Sequence, residues 1–512
     1  MTFALPSFLR PSFVACIVAA MPCAAGFAGG VAYAQSSTPV PDAMANQPDP
    51  QDFVARSVQP DGTADLASRG NQLRFGGVNI SWLGLRSDTG RAADLRTPTP
   101  FEITDVLDTV QALGTGYIRS VSLLASAGCA LCLTPGVGRT NADALAYADH
   151  ILKLAHDAGL KIVLPLAGDG HCDGAGADSV SSGTQCVFAA ARGLPTADFY
   201  TDADVRAAFA RQVTSLLNHI NPETGIAWKD DPTIMAWENC DRCGAGIDVA
   251  VLADWTEWLG HTIKAVDTRH LYENGAFAGR IGMADQARLG LQSVDIVGDV
   301  LSPAPGAAPD AFVAAQQAVT AAGRVYVVDA YAWAPAHFAT EDDLDAFFAA
   351  IVKDRNVAAA FLADLGAHAE QGGWLPSTLP GQPVLYFPGA PTREVDLAAM
   401  EPRARAVRRF NYNMIDIVLP PAFPRPPQPQ IISITHGKLV WRGSAGATKY
   451  SISRSTDLTE TGSWQELCDQ CATDSNPSWQ DPSVPGGDVW YRIMPFNANL
   501  HPGEPSDPAE NK

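Results

Sequence analysis

The sequence predicts an α/β protein, a (β/α)8 TIM barrel followed by a small all-β sandwich. Eight apolar, strand-like runs alternate with helix-like segments from position 73 to position 362, and a closed parallel barrel is the natural arrangement of such alternation. A proline-rich run at 420–427 follows, and after position 430 the periodicity changes to short alternating strands separated by turn residues. At 512 residues the chain is also too long for one average domain.

Each element of this prediction follows from the local pattern of apolar residues. The eight barrel strands are predicted at 73–82, 116–124, 161–166, 233–237, 270–274, 294–300, 324–329 and 357–362. The helices between them are predicted at 102–113, 142–158, 205–220, 251–266, 310–322 and 341–354. The C-terminal strands are predicted at 438–441, 449–454, 464–468 and 489–495. The predicted domains are a signal peptide (1–34), a flexible leader (35–51), the barrel (52–419), a linker (420–429) and the sandwich (430–512).

The first 34 residues have the pattern of a secretory signal. Arg10 precedes an apolar middle, and the small residues Ala32 and Ala34 stand before Gln35. A membrane anchor is the alternative, because the apolar stretch 13–34 is long enough to span a bilayer, although Pro22 weakens it. The expected protein is therefore secreted or periplasmic, without a membrane span after removal of the signal.

The charge balance is strongly acidic. Removal of the signal takes away only Arg10 and leaves 34 basic and 55 acidic residues, a formal charge of −21. This balance disfavours nucleic acid and anionic membrane surfaces as partners, and it is compatible with a neutral polysaccharide or oligosaccharide.

Eight cysteines remain after removal of the signal, and they form close pairs in the sequence. Close pairs behind a secretory signal predict local disulfides, whereas the Cys-x-x-Cys spacing of three pairs leaves zinc as the alternative. We expect disulfides and no metal or other cofactor. The predicted pairs are Cys129/Cys132, Cys172/Cys186, Cys240/Cys243 and Cys468/Cys471.

The stretch 230–243 is the strongest candidate for chemistry. An Asp-Asp-Pro turn opens it, an apolar run from Thr233 to Trp237 predicts a fully buried strand, and Glu238, Asp241 and Arg242 follow. Barrel strands deliver catalytic side chains in this way to the C-terminal mouth. An ordinary α/β strand followed by a solvated loop is the alternative, because function must be argued from the site.

Several segments together resemble endo-β-1,4-mannanases of glycoside hydrolase family 5, over roughly residues 53–389. These are FGGVNISWLG at 75–84, FYTDADVR at 199–206, TGIAWKDDPTIMAWE at 224–238 and LYFPG at 385–389. The resemblance implies a (β/α)8 barrel and retaining hydrolysis by two glutamates, one just past the fourth strand and one ending the seventh. WYRIMPFN at 490–497 and GEPS at 503–506 resemble the last strands of a fibronectin type III domain.

The chain departs from the family pattern at both catalytic positions. Without gaps, Asp241 and Arg242 stand where the family has Asn-Glu, and a guanidinium cannot donate a proton at neutral pH. Asp329 replaces the second glutamate and is shorter by one methylene, about 1.5 Å of reach. A gapped alignment matches Arg242-Cys243 to an Arg-Cys pair of the family and restores no glutamate. Arg119 on the second strand does match a family arginine.

The candidate site residues follow from these positions. Asp329 and Glu238 are the catalytic candidates. The alternative for Glu238 is a carboxylate that only supports other site residues, and the alternative for Asp329 is a carboxylate paired with Arg119 or Arg242. We expect the substrate to be bound by Trp82, Arg119, Asp241, Arg242, Tyr331 and Trp333.

Two hypotheses about function remain. In the first, the protein hydrolyses O-glycosidic bonds of a β-linked polysaccharide of the mannan or cellulose type, with Asp329 and Glu238 as its carboxyl groups. In the second, it is a catalytically inactive relative that binds a glycan or a surface partner through the barrel cleft. The absent glutamate at the acid position favours the second hypothesis, and the intact barrel framework is consistent with the first.

Overall fold

The computed structural model describes residues 48–89, 94–168, 183–276, 278, 289–377, 383–459 and 462–511. The predicted signal at 1–34 and most of the predicted leader lie outside these residues. The barrel and the C-terminal sheets belong to one compact unit, Asn46–Lys512.

A small antiparallel sheet precedes the barrel. It consists of β1 (Ala55–Val58), β2 (Ala64–Ser68) and β3 (Asn71–Leu73) in sequential order. Leu66 of β2 is fully buried in the same apolar cluster as Phe75 and Met235, which come from the first halves of barrel strands. The sheet therefore covers the N-terminal end of the barrel.

The barrel region has the predicted alternation of strands and helices. In chain order its elements are β4 (Phe75–Asn79), β5 (Arg86–Ser87), β6 (Leu95–Arg96), α1 (Pro100–Ala112), β7 (Tyr117–Arg119), α2 (Ala142–Asp157), β8 (Lys161–Pro165), α3 (Thr184–Ala190), α4 (Ala203–Leu217), β9 (Ile234–Glu238), α5 (Val249–Lys264), β10 (Leu271–Asn274), β11 (Ile296–Leu301), α6 (Val313–Ala321), β12 (Val325–Tyr331), α7 (Glu341–Lys353), β13 (Val357–Leu362) and α8 (Leu397–Met414). Strands β4, β7, β8, β9, β10, β11, β12 and β13 pair in parallel in that order and close into a barrel. The predicted fold class is confirmed.

Local sequence explains where the helices begin. Thr99 caps α1 by accepting a hydrogen bond from the Glu102 backbone N–H, while the Glu102 side chain accepts one from the Thr99 N–H. Pro100 occupies the first helical position, where its missing N–H costs nothing. Asp202 and Asp248 cap α4 and α5 in a similar way.

The apolar residues form two buried layers around the barrel wall. Alternate residues of each strand point inward, and the lower interior is filled by side chains such as Val163, Leu271 and Phe361. The other strand residues point outward and pack against the helices, as Tyr326 and Val328 do. Polar residues replace the apolar filling toward the C-terminal ends of the strands.

The C-terminal region forms two small antiparallel sheets, as expected for an all-β region. Its strands are β14 (Gln430–Thr435), β15 (Lys438–Arg442), β16 (Ala447–Ser455), β17 (Gln465–Ala472), β18 (Ser478–Gln480), β19 (Trp490–Asn497) and β20 (Ala509–Glu510). One sheet has the order β14-β15-β18 and the other β17-β16-β19-β20, with Trp441, Tyr450 and Ile493 buried in their common core. The resemblance to fibronectin type III domains stays a prediction.

In the part of the chain that the structure describes, we find no helix with both the length and the apolar character needed to span a membrane.

Candidate active site

Polar side chains from five barrel strands meet inside the C-terminal half of the barrel. They are Asn79 of β4, Arg119 of β7, Glu238 of β9, Glu273 of β10 and Asp329 of β12. None of the five residues is more than 4% exposed. The sequence places charged groups where the strands end, and the closed barrel then brings them together.

Arg119 is the centre of this group. Its Nε and Nη2 atoms donate to the two carboxylate oxygens of Glu238, both at 2.7 Å, and Nη2 also donates to Asp241 Oδ1 at 2.8 Å. Nη1 donates to Asn79 Oδ1 at 3.0 Å. Burial disfavours the guanidinium charge, but Glu238, Asp241 and Asp329 outweigh it and raise the pKa of Arg119 well above its usual value. Arg119 is therefore a buried cation that forms four hydrogen bonds within the site.

The side chain of Glu238 occupies space that is free because residue 275 is a glycine. A Cβ atom at Gly275, just past β10, would lie only 2.0 Å from Glu238 Oε1. Burial raises the pKa of Glu238 to about 7, although Arg119 opposes the shift, and the nearby Glu273 and Asp241 add to it. Burial and the neighbouring carboxylates thus favour a proton on Glu238, whereas its two hydrogen bonds from Arg119 favour the carboxylate.

Asp241 behaves in the opposite way. Burial works against its carboxylate, but Arg119 and Arg242 more than compensate and lower the pKa of Asp241. Arg242 contacts Asp241 Oδ2 through Nη2 at 3.3 Å, and its side chain is 45% exposed at the barrel mouth. Ion pairs thus connect four of the predicted site residues, Glu238, Arg119, Asp241 and Arg242, in that order.

Asp329 sits at an irregularity of β12. The pairing of β11 with β12 runs from Asp299/Val328 to Val300/Ala330 and skips Asp329. Such a bulge changes the direction of the bulged side chain and reverses the alternation beyond it. Asn79 fixes the bulge, because its Nδ2 donates to the backbone carbonyls of Asp329 at 2.7 Å and Leu362 at 2.8 Å.

The Asp329 carboxyl group is enclosed by the barrel wall. A Cβ atom at Gly298 of β11 would lie 1.8 Å from Asp329 Oδ2, so the glycine provides the space. Apart from a contact with the carboxyl group of Glu273, neither oxygen meets a donor among the described residues. Burial, then the charges of Glu273 and Glu238, raise the pKa of Asp329 well above its usual value despite Arg119.

Three predicted substrate-binding aromatics lie away from this group. Tyr331 and Trp333 are fully buried, and Tyr331 packs edge-on against Phe348 and Phe410 in the helix layer. The bulge at Asp329 is the reason, since regular alternation would have put Tyr331 on the same face as Asp329. Trp82 is also buried, and its Nε1 donates to the carbonyl of Leu365 at 2.8 Å. All three rings are buried, so their role in substrate binding stays a prediction.

Sequence reasoning passed over Glu273 and Asn79. Glu273 follows a short apolar run at the end of the predicted strand 270–274, the same signal that singled out Glu238. Asn79 lies within the motif 75–84 and carried no chemical signal of its own. Its role as a support for the bulge depends on closure of the barrel.

Two disulfides close loops of the barrel, and a third joins two residues of strand β17 in the C-terminal sheets. Cys129 pairs with Cys132, Cys240 with Cys243 and Cys468 with Cys471, as predicted. Cys186 is disulfide-bonded as well, while its predicted partner Cys172 lies outside the described residues. The Cys240–Cys243 bridge encloses Asp241 and Arg242 and so restrains both charged groups.

A separate cavity lies on the outer side of the barrel wall. It has a volume of about 500 Å³ and is lined by the end of β11, the segment before α6, and residues of α6 and α7, among them Leu301, Phe312 and Phe347. Within the described ranges, no three or more His, Cys, Asp or Glu residues are grouped so that they could hold a metal ion.

Residues 111–291 match the protein family described as GH family 5 beta-mannosidase-like. A putative mannan endo-1,4-beta-mannosidase 5 of Oryza sativa subsp. japonica is 28% identical over 221 residues, 43% of this chain and 42% of that protein. The mannan endo-1,4-beta-mannosidase 7 of Arabidopsis thaliana is 32% identical over 143 residues, 27% of this chain and 32% of that protein. The chain spans less than half the length of these curated relatives.

Solved structures share the barrel fold. A glycoside hydrolase family 5 mannosidase from Rhizomucor miehei superposes with a TM-score of 0.55 at 14% identity, covering 72% of this chain and 99% of that one. The endo-beta-1,4-mannanase from Thermotoga petrophila gives a TM-score of 0.51 at 16% identity, covering 86% of this chain and 98% of that one. At these identities the likeness shows the (β/α)8 fold.

Proposed function

We propose that this chain is an exported relative of the family 5 mannanases that recognises a β-linked polysaccharide of the mannan type at the barrel mouth without hydrolysing it. The family match and the mannan-directed names of the relatives support the substrate class. One observation carries the loss of hydrolysis: both candidate carboxyl groups, Glu238 and Asp329, are enclosed within the barrel, at 0% and 1% exposure.

The chemistry of retaining hydrolysis requires more than two nearby carboxyl groups. One must donate a proton to the leaving oxygen while the other, about 5–5.5 Å away, attacks the anomeric carbon. Glu238 is held by two hydrogen bonds from Arg119, and Asp329 lies against Gly298. Both groups are enclosed away from a sugar at the mouth, and in the gapless alignment Arg242 takes the place of the family's acid.

The rim of the barrel keeps features suited to binding. Arg242 exposes nearly half of its side chain and is oriented by Asp241, which is itself held by Arg119. Both residues lie in the loop closed by Cys240–Cys243, so little conformational freedom is lost on binding. Fixed charged donors and acceptors of this kind can hydrogen-bond the hydroxyl groups of a neutral glycan.

Export is part of the proposal. The predicted signal at 1–34 and the paired cysteines support a secreted or periplasmic location, because disulfides persist in oxidising compartments.

Hydrolysis is the second candidate function, and the protonation of Glu238 favours it. A pKa of about 7 lets Glu238 carry a proton at neutral pH, as a general acid must. In this alternative Asp329 is the nucleophile, and substrate binding has to open the barrel mouth to it.

Two measurements on the mature protein separate these functions. Affinity for mannan, glucomannan, xylan and soluble cellulose is measured by calorimetry, and reducing-sugar release is measured for the parent and Asp329→Ala. We expect mannan binding without release. Arg242→Ala should weaken binding, whereas Arg355→Ala, an equally exposed arginine just before β13 at the opposite end of the barrel, should not.

The other outcomes are equally informative. Sugar release that Asp329→Ala abolishes would replace the binding proposal by the hydrolytic one. A parent that neither binds nor cleaves any of the four polysaccharides would overturn both.

A further inference from the structure

We propose that Glu273 and Asp329 form an acid pair that shares one proton inside the barrel, so that Glu273 is a positioning residue which keeps Asp329 a neutral carboxyl group. The consequence for catalysis deepens the proposed function and rests on it. The shared proton itself is a property of the barrel alone.

The space for the pair comes from Gly298. Strand β11 separates β10, which carries Glu273, from β12, which carries Asp329. All three carboxyl atoms of Asp329 lie within 2.4 Å of the point where a Cβ atom of residue 298 would stand. Asp329 therefore reaches over β11 toward β10, where its carboxyl group contacts that of Glu273.

Three oxygens of the pair lack a hydrogen-bond donor. Among the described residues, no N–H or hydroxyl group donates to either oxygen of Asp329 or to Oε1 of Glu273. The amide of Asn79 donates to the backbone carbonyls of Asp329 and Leu362, not to the carboxyl groups. A buried carboxylate without donors is costly, and a proton held between the two carboxyl groups supplies the missing donor.

The charges that face the pair lead to the same conclusion. In the described part of the chain, Arg119 is the guanidinium that acts on both groups, and it already forms hydrogen bonds with Glu238 and Asp241. Two adjacent carboxyl groups without a cation of their own cannot both ionise. Burial raises the pKa of Glu273, and burial together with Glu273 and Glu238 raises that of Asp329.

A shared proton changes what Asp329 can do. A protonated carboxyl group is a hydrogen-bond donor and a poor nucleophile, so Asp329 cannot attack a sugar while it holds the shared proton. In the family this position carries the attacking glutamate, and here Glu273 is the residue that suppresses such a role.

Infrared spectroscopy of the full mature chain tests the proposal, because protonated carboxyl groups absorb apart from carboxylates. Glu273→Gln and Asp329→Asn each place an amide donor beside the remaining carboxyl group, which should then ionise. We expect each single variant, and the double variant, to lose the same single protonated-carboxyl signal at pH 8. Two signals lost in the double variant, or none in either single variant, would overturn the shared proton.

Controls address folding and assignment. Asp364→Asn removes another buried carboxyl group, one bound by Ser81, and should leave the signal of the pair intact. Labelling the parent with [13C]aspartate needs no substitution: a protonated-carboxyl signal at pH 8 must shift in part, and an unshifted one would exclude Asp329 as a proton holder.

The experiment does not depend on any ligand, so it remains separate from the proposed function. Sugar release by a parent that shows the shared proton would overturn the binding function and leave the pair standing. Absence of the proton in a parent that binds mannan would overturn the pair alone.

Discussion

Arg119 pairs with two buried carboxylates at once, and its removal leaves Glu238 without a cation and Asp241 with Arg242 alone. Breaking a buried ion pair by deleting one partner costs about 3–5 kcal/mol, because the remaining charge stays buried. We expect Arg119→Met to lower the free energy of unfolding by about that amount, measured by denaturant titration.

Arg242→Met is the matched control for this prediction. Its guanidinium touches one of the same carboxylates, Asp241, but its side chain is nearly half exposed. A partly exposed pair contributes under about 1 kcal/mol. Equal losses in the two variants would contradict the central role of Arg119.

Gly298 is required because its missing side chain makes room for Asp329. Gly298→Ala would place a methyl group 1.8 Å from Asp329 Oδ2. Such overpacking destabilises by roughly 1–3 kcal/mol. Gly136→Ala, a barrel glycine with no neighbour within 4 Å of its would-be Cβ, should change the unfolding free energy by less than about 0.5 kcal/mol.

A double-mutant cycle makes this prediction specific to the pair of residues. Asp329→Ala removes the carboxyl group that the new methyl group would meet, so Gly298→Ala should cost less in that background than in the parent. Equal costs in both backgrounds, measured by thermal unfolding, would show that Gly298 serves another neighbour.

The residues that could be predicted share one property: they follow long apolar runs. Glu238 was singled out in this way and Asp329 by its place in the family resemblance, at the end of the seventh strand, and the structure brings both to the same buried group. Tyr331 was expected to contact the substrate because an aromatic ring just past the seventh strand can stack on a sugar. The bulge that turns it outward depends on Asn79 of a distant strand, and no local pattern encodes that contact.

At the scale of elements, long periodic segments were predictable and irregular ones were not. The strand 357–362 coincides with β13, and the helix 142–158 differs from α2 by one residue. Helix α8 was missed, because it contains Pro402 and is rich in arginine and asparagine, which obscures its apolar face. The β1–β3 sheet was missed as well, since two of its strands are partly exposed and lack clear alternation.

The Cys240–Cys243 disulfide restrains the loop that follows strand β9. In the chain-entropy estimate, a loop of this size contributes about 2 kcal/mol to stability. The double variant Cys240→Ser/Cys243→Ser should lose about that amount, together with glycan affinity, because Asp241 and Arg242 gain conformational freedom. Denaturant titration and calorimetry measure the two effects.

The Cys468–Cys471 bridge provides the control. It closes a loop of the same length in β17, far along the chain from the barrel mouth. Its double serine variant should lose similar stability and keep the parent's glycan affinity. If both double variants bind the glycan like the parent, restraint of the loop after β9 is irrelevant to recognition.

At the scale of the whole molecule, the C-terminal sheets pack against the barrel through specific contacts, in addition to the covalent connection. The segment 420–429 was predicted to be a stiff linker from its prolines alone. In the structure, Asn497 Nδ2 donates to the carbonyls of Phe423 and Pro424, both at 2.9 Å, and the Arg408 guanidinium lies 4.3 Å from the Phe423 ring. These contacts join residues far apart in sequence, which composition cannot predict.

A buried histidine forms a polar link between the two parts. His368 Nδ1 donates to Asp105 of α1 at 2.9 Å, and Nε2 donates to Asp474 of the C-terminal region at 3.1 Å. The Tyr450 hydroxyl also donates to Asp474, at 2.8 Å, and Trp374 stacks on the imidazole. With a carboxylate at each nitrogen, the ring must carry both protons and a positive charge.

This geometry predicts a pH dependence of stability. Burial disfavours the charge, but Asp105 and Asp474 outweigh it and raise the pKa of His368 to about 10. Since the unfolded value is about 6.5, the stabilisation is complete below about pH 6.5 and is lost as the pH rises toward 10. We expect His368→Gln to lose about 3–5 kcal/mol at pH 6 and to approach the parent near pH 10, in denaturant titrations of the full chain.

His150→Gln, which removes an exposed contact with Glu223, should follow the parent at every pH. A constant difference between parent and His368→Gln from pH 6 to pH 10 would mean that shape, and not charge, holds the two parts together.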